Sequence, residues 1–136
     1  MIEVSNLAAQ TLQPGQAITF NNVIHHTGSC ECFSRQLPTS VKLKGPRCAQ
    51  YQVDFNGNIS GAAGGVLQLA IAIGGQPLVE TEMRVTPTGD PNSYNVSAGT
   101  YIVMDCMDLD RVSVVNMGTV AIGLAPNANL RIRRVA

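Results

Sequence analysis

The 136-residue sequence predicts an all-β fold, a single antiparallel β-sandwich, on three observations. Between residues 49 and 85, three consecutive runs alternate apolar and polar side chains. Glycine clusters at 61–65 and 74–75 separate those runs. No window places apolar residues at i, i+3, i+4 and i+7 behind a cap, so no helix longer than a turn is expected. Successive side chains of a strand point to opposite faces, so each run has one face for a core and one for water or a partner. About eight to ten short strands with frequent turn signals define a sandwich or barrel.

In chain order, residues 1–15 read as a polar opening, an N-terminal arm closed by the turn signal Gln13-Pro14-Gly15, and the domain proper is expected over residues 16–136. Residues 17–24 are expected as a strand with Ile18 and Phe20 on one face. Residues 25–40 lack a period, contain Gly28 and Pro38, and read as a long loop. A short alternation over 41–44 ends at Gly45-Pro46. The next run sets Ala49, Tyr51, Val53, Phe55 and Ile59 against Gln52, Asp54, Asn56 and Asn58. Leu67, Leu69, Ile71 and Ile73 then oppose Gln68, Ala70 and Ala72. Residues 79–85 are expected as a third strand, with Val79, Thr81, Met83 and Val85 opposite Glu80, Glu82 and Arg84. Residues 87–92 are dense in turn formers. Tyr94 and Val96 start a new alternation, and 101–104 is a further run closed by the acidic segment 105–110. Val112 and Val114 open the next strand, Gly118 turns the chain into Val120, Ile122 and Leu124, and Pro126-Asn127 turns it again. The last strand carries Leu130 and Ile132 inward, Arg131 and Arg133 outward.

A chain of this size buries about two thirds of its unfolded surface in one core. The apolar fraction of 45% can fill that core, whereas 13% charged residues is low for a fully solvated surface. A surface poor in charge favours coverage by other subunits. Nine basic and nine acidic side chains cancel, so there is no broad positive field to hold a nucleic acid; Arg131, Arg133 and Arg134 are the one local excess. The first residues lack the basic and apolar regions of an export signal, and the longest apolar stretch, 66–73, is too short to span a bilayer. Synthesis and folding in the cytoplasm, with no membrane partner, are the expectation. Free thiols are therefore expected at Cys30, Cys32, Cys48 and Cys106.

The strand, Gly45-Pro46 turn and Tyr51-x-Val53-x-Phe55 strand over residues 41–59 resemble those of the tumour-necrosis-factor and complement-globular-head jelly rolls. Residues 67–78 are similar to the hairpin of that family, an apolar strand, a small turn and Pro77-Leu78. Residues 127–136 are similar to its last strand, and the whole chain resembles short proteins of this type from Firmicutes and their phages. The order Gly45-Pro46 inverts the usual Pro-Gly, no collagen-like Gly-x-y run precedes the domain, and there are only three Tyr, three Phe and no Trp. The resemblance implies a ten-stranded jelly roll packed as a three-fold homotrimer. Candidates for the trimer interface are Gln52 and Asp54 on the central strand with Arg131 and Arg133 on the last, where carboxylate and guanidinium from different protomers would fix register. The same alternation also fits four solvent-facing positions of a half-buried sheet.

His25, His26, Cys30 and Cys32, with Cys106 elsewhere, are residue types that hold zinc, although Cys-x-Cys spacing is poor for one tetrahedral ion. A loop with free thiols and surface histidines is the reading preferred over a metal site. Asp105, Asp108 and Asp110 form an acidic turn without the EF-hand spacing. No nucleophile elbow, phosphate loop or catalytic grouping is present, so no enzyme activity and no cofactor are expected. The expected function is a non-enzymatic structural module, a homotrimeric jelly roll on a phage virion as a capsid decoration or head fibre. Residues 1–16 would contact the capsid or another virion protein. The alternative is a bacterial surface or spore-coat module, or a glycan-binding head of the same fold, for which Tyr94 and Tyr101 are the candidate ring platforms.

Overall fold

The computed structural model describes residues 1–26, 33–43, 45, 48–88, 93–103 and 111–136. Thirteen strands lie among them: β1 (Ile2–Ser5), β2 (Gln10–Leu12), β3 (Asn22–His26), β4 (Phe33–Leu37), β5 (Ser40–Leu43), β6 (Gln50–Ser60), β7 (Leu67–Ile73), β8 (Gln76–Pro77), β9 (Met83–Val85), β10 (Tyr94–Val103), β11 (Arg111–Asn116), β12 (Ile122–Leu124) and β13 (Asn129–Arg134). All pairings are antiparallel, in two sheets. The first sheet runs β2-β12-β6-β13-β1-β3, with β10 on the free side of β6. The second runs β4-β5-β11-β7-β8, with β9 also pairing β7.

The alternation in β6 does what its pattern requires. Tyr51, Val53, Phe55 and Ile59 are fully buried, while Gln52, Asp54, Asn56 and Asn58 face out, the first two half-buried. Leu67, Leu69 and Ile71 from β7 and Val112 and Val114 from β11 meet them from the second sheet, and Phe20, Leu130 and Ile132 complete the core. Each such side chain contributes about 1.5–3 kcal/mol on burial. The turn between β7 and β8 holds Gly74 at φ 59° and Gly75 at φ 84°. Two successive left-handed residues make the tight hairpin turn whose twist matches its strands, and glycine adopts it without steric cost.

Several expectations are corrected. The opening segment is not a polar arm: β1 lies between β13 and β3, and all four of its residues are buried. Its short Ile2-Glu3-Val4 alternation is a strand pattern in which the acid has an ion-pair partner. The expected strand at 17–24 divides between the sheets. Ile18 donates its backbone N–H to Val114 of the second sheet (2.8 Å), and β3 then pairs with β1 in the first. The expected loop over 25–40 contains the end of β3 and a hairpin of β4 and β5 turning at Pro38 and Thr39; residues 27–32 lie outside the described set.

Residues 79–85 are not one strand. Val79–Thr81 is a single 3-10 turn. Buried Thr81 holds it there, its hydroxyl accepting the Ile71 N–H (2.9 Å) and donating to the Leu78 carbonyl (2.7 Å). On β7, Ala70 and Ala72 are as fully buried as the leucines opposite, so this strand has no solvent face between those positions. The two runs expected around residue 98 are one continuous strand, β10, whose ladder with β6 has no register shift.

Candidate functional site: the outward face of the first sheet

The outward positions of β10, β6, β13, β1 and β3 form rows across the sheet, fixed by register. One row is Gly99, Asp54, Arg131 and Glu3; a second is Tyr101, Gln52 and Arg133. A third is Ser97, Asn56, Asn129, Ser5 and Asn22, and Asn95 with Asn58 begins a fourth. The expectation that Gln52, Asp54, Arg131 and Arg133 share one face therefore agrees with their places in adjacent rows. The face grades from Tyr101 and Val103 at one end, through a charged middle, to an amide-rich end.

The charges do not pair as the residue types alone suggest. Arg131 lies beside Asp54 in register, yet its guanidinium turns to Glu3, donating from Nε (3.0 Å) and Nη2 (2.8 Å) to one carboxylate oxygen. The Glu3 side chain is only 11% exposed against 51% for Arg131, so the pair shields an acid at the sheet centre. Such a charge-assisted contact prevents the burial of Glu3 from being prohibitive. Arg133 likewise donates to Gln52 Oε1 from Nε (2.8 Å) and Nη2 (2.6 Å). At the amide end, Asn95 Nδ2 donates to Asn56 Oδ1 and Asn58 Oδ1, both at 3.0 Å.

Asp54 is left over. Its half-buried carboxylate has no hydrogen-bond or ion-pair partner among the described residues. It leans over Gly99 of β10, where an added Cβ would sit 2.5 Å from its Oδ1. Asp54, Asn56, Ser97, Gly99, Asn129 and Arg131 surround an open depression of about 530 Å³. Within one chain, the Asp54 acceptor is directed at the open edge of the sheet and the Arg131 donor is directed away from it.

Glu3, Gly99 and Tyr101 belong to this face although sequence reading did not assign them to it. Glu3 sat in a segment read as an arm, and Gly99 in an apparent break between two runs. Of the two tyrosines expected as ring platforms, Tyr101 is 66% exposed, whereas Tyr94 packs against the core. The proposed metal ligands do not form a site that can be described. His25 and His26 pair through their backbones with Glu3 and Ile2, and Cys30, Cys32 and Cys106 lie outside the described residues, as does the acidic segment 105–110. Among the described residues no group of three or more His, Cys, Asp or Glu is placed to hold a metal ion, and Cys48 is an exposed free thiol. No helix among them is long and apolar enough to cross a membrane.

With this geometry in hand, the fold is that of the tumour-necrosis-factor and complement-globular-head jelly rolls. The globular domain of zebrafish complement 1qA protein is similar at a TM-score of 0.59 and 17% identity, covering 96% of this chain and 94% of that one. The Eiger tumour necrosis factor of S. frugiperda is similar at 0.67 and 10% identity, covering 99% and 92%. The PRD1 vertex protein is similar at 0.50 and 13% identity, covering 99% and 97%. No family model matches the sequence, and no curated protein matches it significantly.

Proposed function

We propose that this chain is a non-enzymatic structural module that assembles as a homotrimer and serves on the surface of a phage virion, as a decoration or fibre component. The observation that carries self-association is the open edge of the first sheet. β10 is ten residues long, pairs among the described residues with β6 alone, and contains neither a charged residue nor a proline. Such edges invite pairing and are ordinarily guarded by charge, proline or a bulge. Exposed apolar residues stand at both margins of this sheet, Tyr101 and Val103 on β10 and Val23 and Ile24 on β3. The three-fold symmetry follows from the resemblance to trimeric jelly rolls, and the outward face bearing Gln52, Asp54, Arg131 and Arg133 is the side turned to the neighbouring copies.

The virion role draws on the fold shared with the PRD1 vertex protein and on the resemblance of the sequence to Firmicutes-phage proteins. With β1 inside the sheet, a capsid partner has the exposed residues 7–9, 11 and 13–16 of the opening segment to grip. Antibody raised against the purified protein is expected to label intact particles; particles carrying neither label nor the chain in their peptide mass spectrum contradict the virion role. A glycan-binding head is the second reading, favoured by the exposed Tyr101 ring beside the polar depression.

A further inference from the structure

We propose that Tyr101 of one copy seats in the depression over Gly99 of a neighbouring copy, its phenol O–H donating to the Asp54 carboxylate there. The inference rests on the self-association just argued and names the residues each copy brings to it. Four observations lead to it. The depression exists because β10 presents only Ser97 and Gly99 outward between Asn95 and Tyr101, and a Cβ at Gly99 would sit 2.5 Å from Asp54 Oδ1, so that a side chain there would displace the carboxylate. The Asp54 carboxylate is a half-buried acceptor without a partner among the described residues, in a face where Glu3, Gln52, Asn56 and Asn58 all have one. Tyr101 stands well out of the surface, at 66% exposure. A phenol combines an apolar body with a single strong donor, which matches a hollow floored by glycine and walled by a carboxylate.

Placement makes the match reciprocal. Tyr101 and Gly99 are two positions apart on one strand face, about 7 Å along the chain. A neighbouring copy drawn to the open edge therefore meets a ring and a hollow side by side and carries both itself. Each copy gives one ring and receives one, so a closed cycle leaves no ring exposed and no carboxylate unpaired. Neither Arg131 nor Arg133 can take the place of the phenol without giving up Glu3 or Gln52.

Sedimentation velocity on the full chain and three variants tests the inference, with circular dichroism confirming the fold of each. Tyr101→Ala is expected to weaken self-association about 30-fold or more, as for a buried aromatic anchor. Tyr101→Phe, which keeps the ring and loses the donor, is expected to weaken it about tenfold. Gly99→Ala fills the hollow and is expected to leave single copies. Mixing Tyr101→Ala, whose hollow is intact, with Gly99→Ala, whose ring is intact, is then expected to recover a mixed pair that neither variant forms alone. Assembly of the unaltered chain together with undiminished assembly of Tyr101→Ala and Gly99→Ala overturns this contact while sparing the self-association reading. Single copies of the unaltered chain at high concentration overturn both. Saccharide binding by the assembled protein that is lost in Asp54→Ala also overturns the contact, because the depression would then be open to solvent.

Discussion

Asn6 ties the two ends of the chain together with one side chain. It is fully buried, its Nδ2 donates to the carbonyls of Ala8 (2.9 Å) and Ala125 (3.0 Å), and its Oδ1 accepts the N–H of Ala128 (2.9 Å). Removing it orphans the buried N–H of Ala128, which costs about 1–3 kcal/mol, and strips a part-buried hydrogen bond from each of the Ala8 and Ala125 carbonyls. Asn6→Ala is therefore expected to lower unfolding free energy by about 3 kcal/mol, read from the urea midpoint at unchanged slope. Asn116 performs the same task elsewhere, donating to Leu12 (3.0 Å) and Val120 (2.8 Å) and accepting the N–H of Gly118 (3.0 Å). The Glu3–Arg131 pair differs, since only its acid is well shielded. Glu3→Gln is expected to cost about 1–2 kcal/mol, and a double-mutant cycle with Arg131→Met should show coupling between the two positions. A cycle without coupling means that the contact contributes nothing beyond its separate parts.

At the scale of elements, β1 and β10 carry the consequences. Because β1 is an inner strand, deleting residues 1–12 removes a ladder from both β13 and β3 and strips β2 from β12. That truncation is expected to yield a chain without a cooperative unfolding transition; a truncated chain that melts like the parent contradicts the placement of β1. β10 makes the complementary prediction. Alternate backbone groups of an edge strand point away from its one partner, so those N–H groups exchange quickly in a lone copy. Slow hydrogen exchange along both sides of β10 in the assembled protein is the expected result.

These two strands also mark the limits of what was legible beforehand. β6 could be read residue by residue, because one of its faces is core and the other polar along its whole length. β7 was found, but Ala70 and Ala72 are too small to reveal that their face is buried too. The 79–85 run alternated correctly yet turns at Thr81, since a hydroxyl bonded to Ile71 and Leu78 competes with strand pairing. β1 does not stand out in the sequence because four residues are too few to establish a period. The shared face of Asp54 and Arg131 followed from alternation alone. Which acid Arg131 would choose did not, because Glu3 is 128 residues away in sequence.

The molecule as a whole presents two unlike surfaces. The core joins both sheets, yet among the described residues the first sheet has at β10 an edge without a second strand partner, a polar face with an unpartnered Asp54 carboxylate, and apolar side chains at both margins. With only 13% charged residues, little repulsion opposes coverage of that surface by like copies. Leu7, 61% exposed in the opening segment, lies outside this face. Leu7→Asp is expected to leave assembly intact and to abolish retention on particles, measured by co-sedimentation; retained association removes that residue from the contact. The most direct measurement is the mass of the unaltered chain by equilibrium ultracentrifugation over a wide concentration range. Burial of the first sheet against identical copies predicts a species at three times 14.4 kDa. A single species of 14.4 kDa at the highest concentration contradicts it.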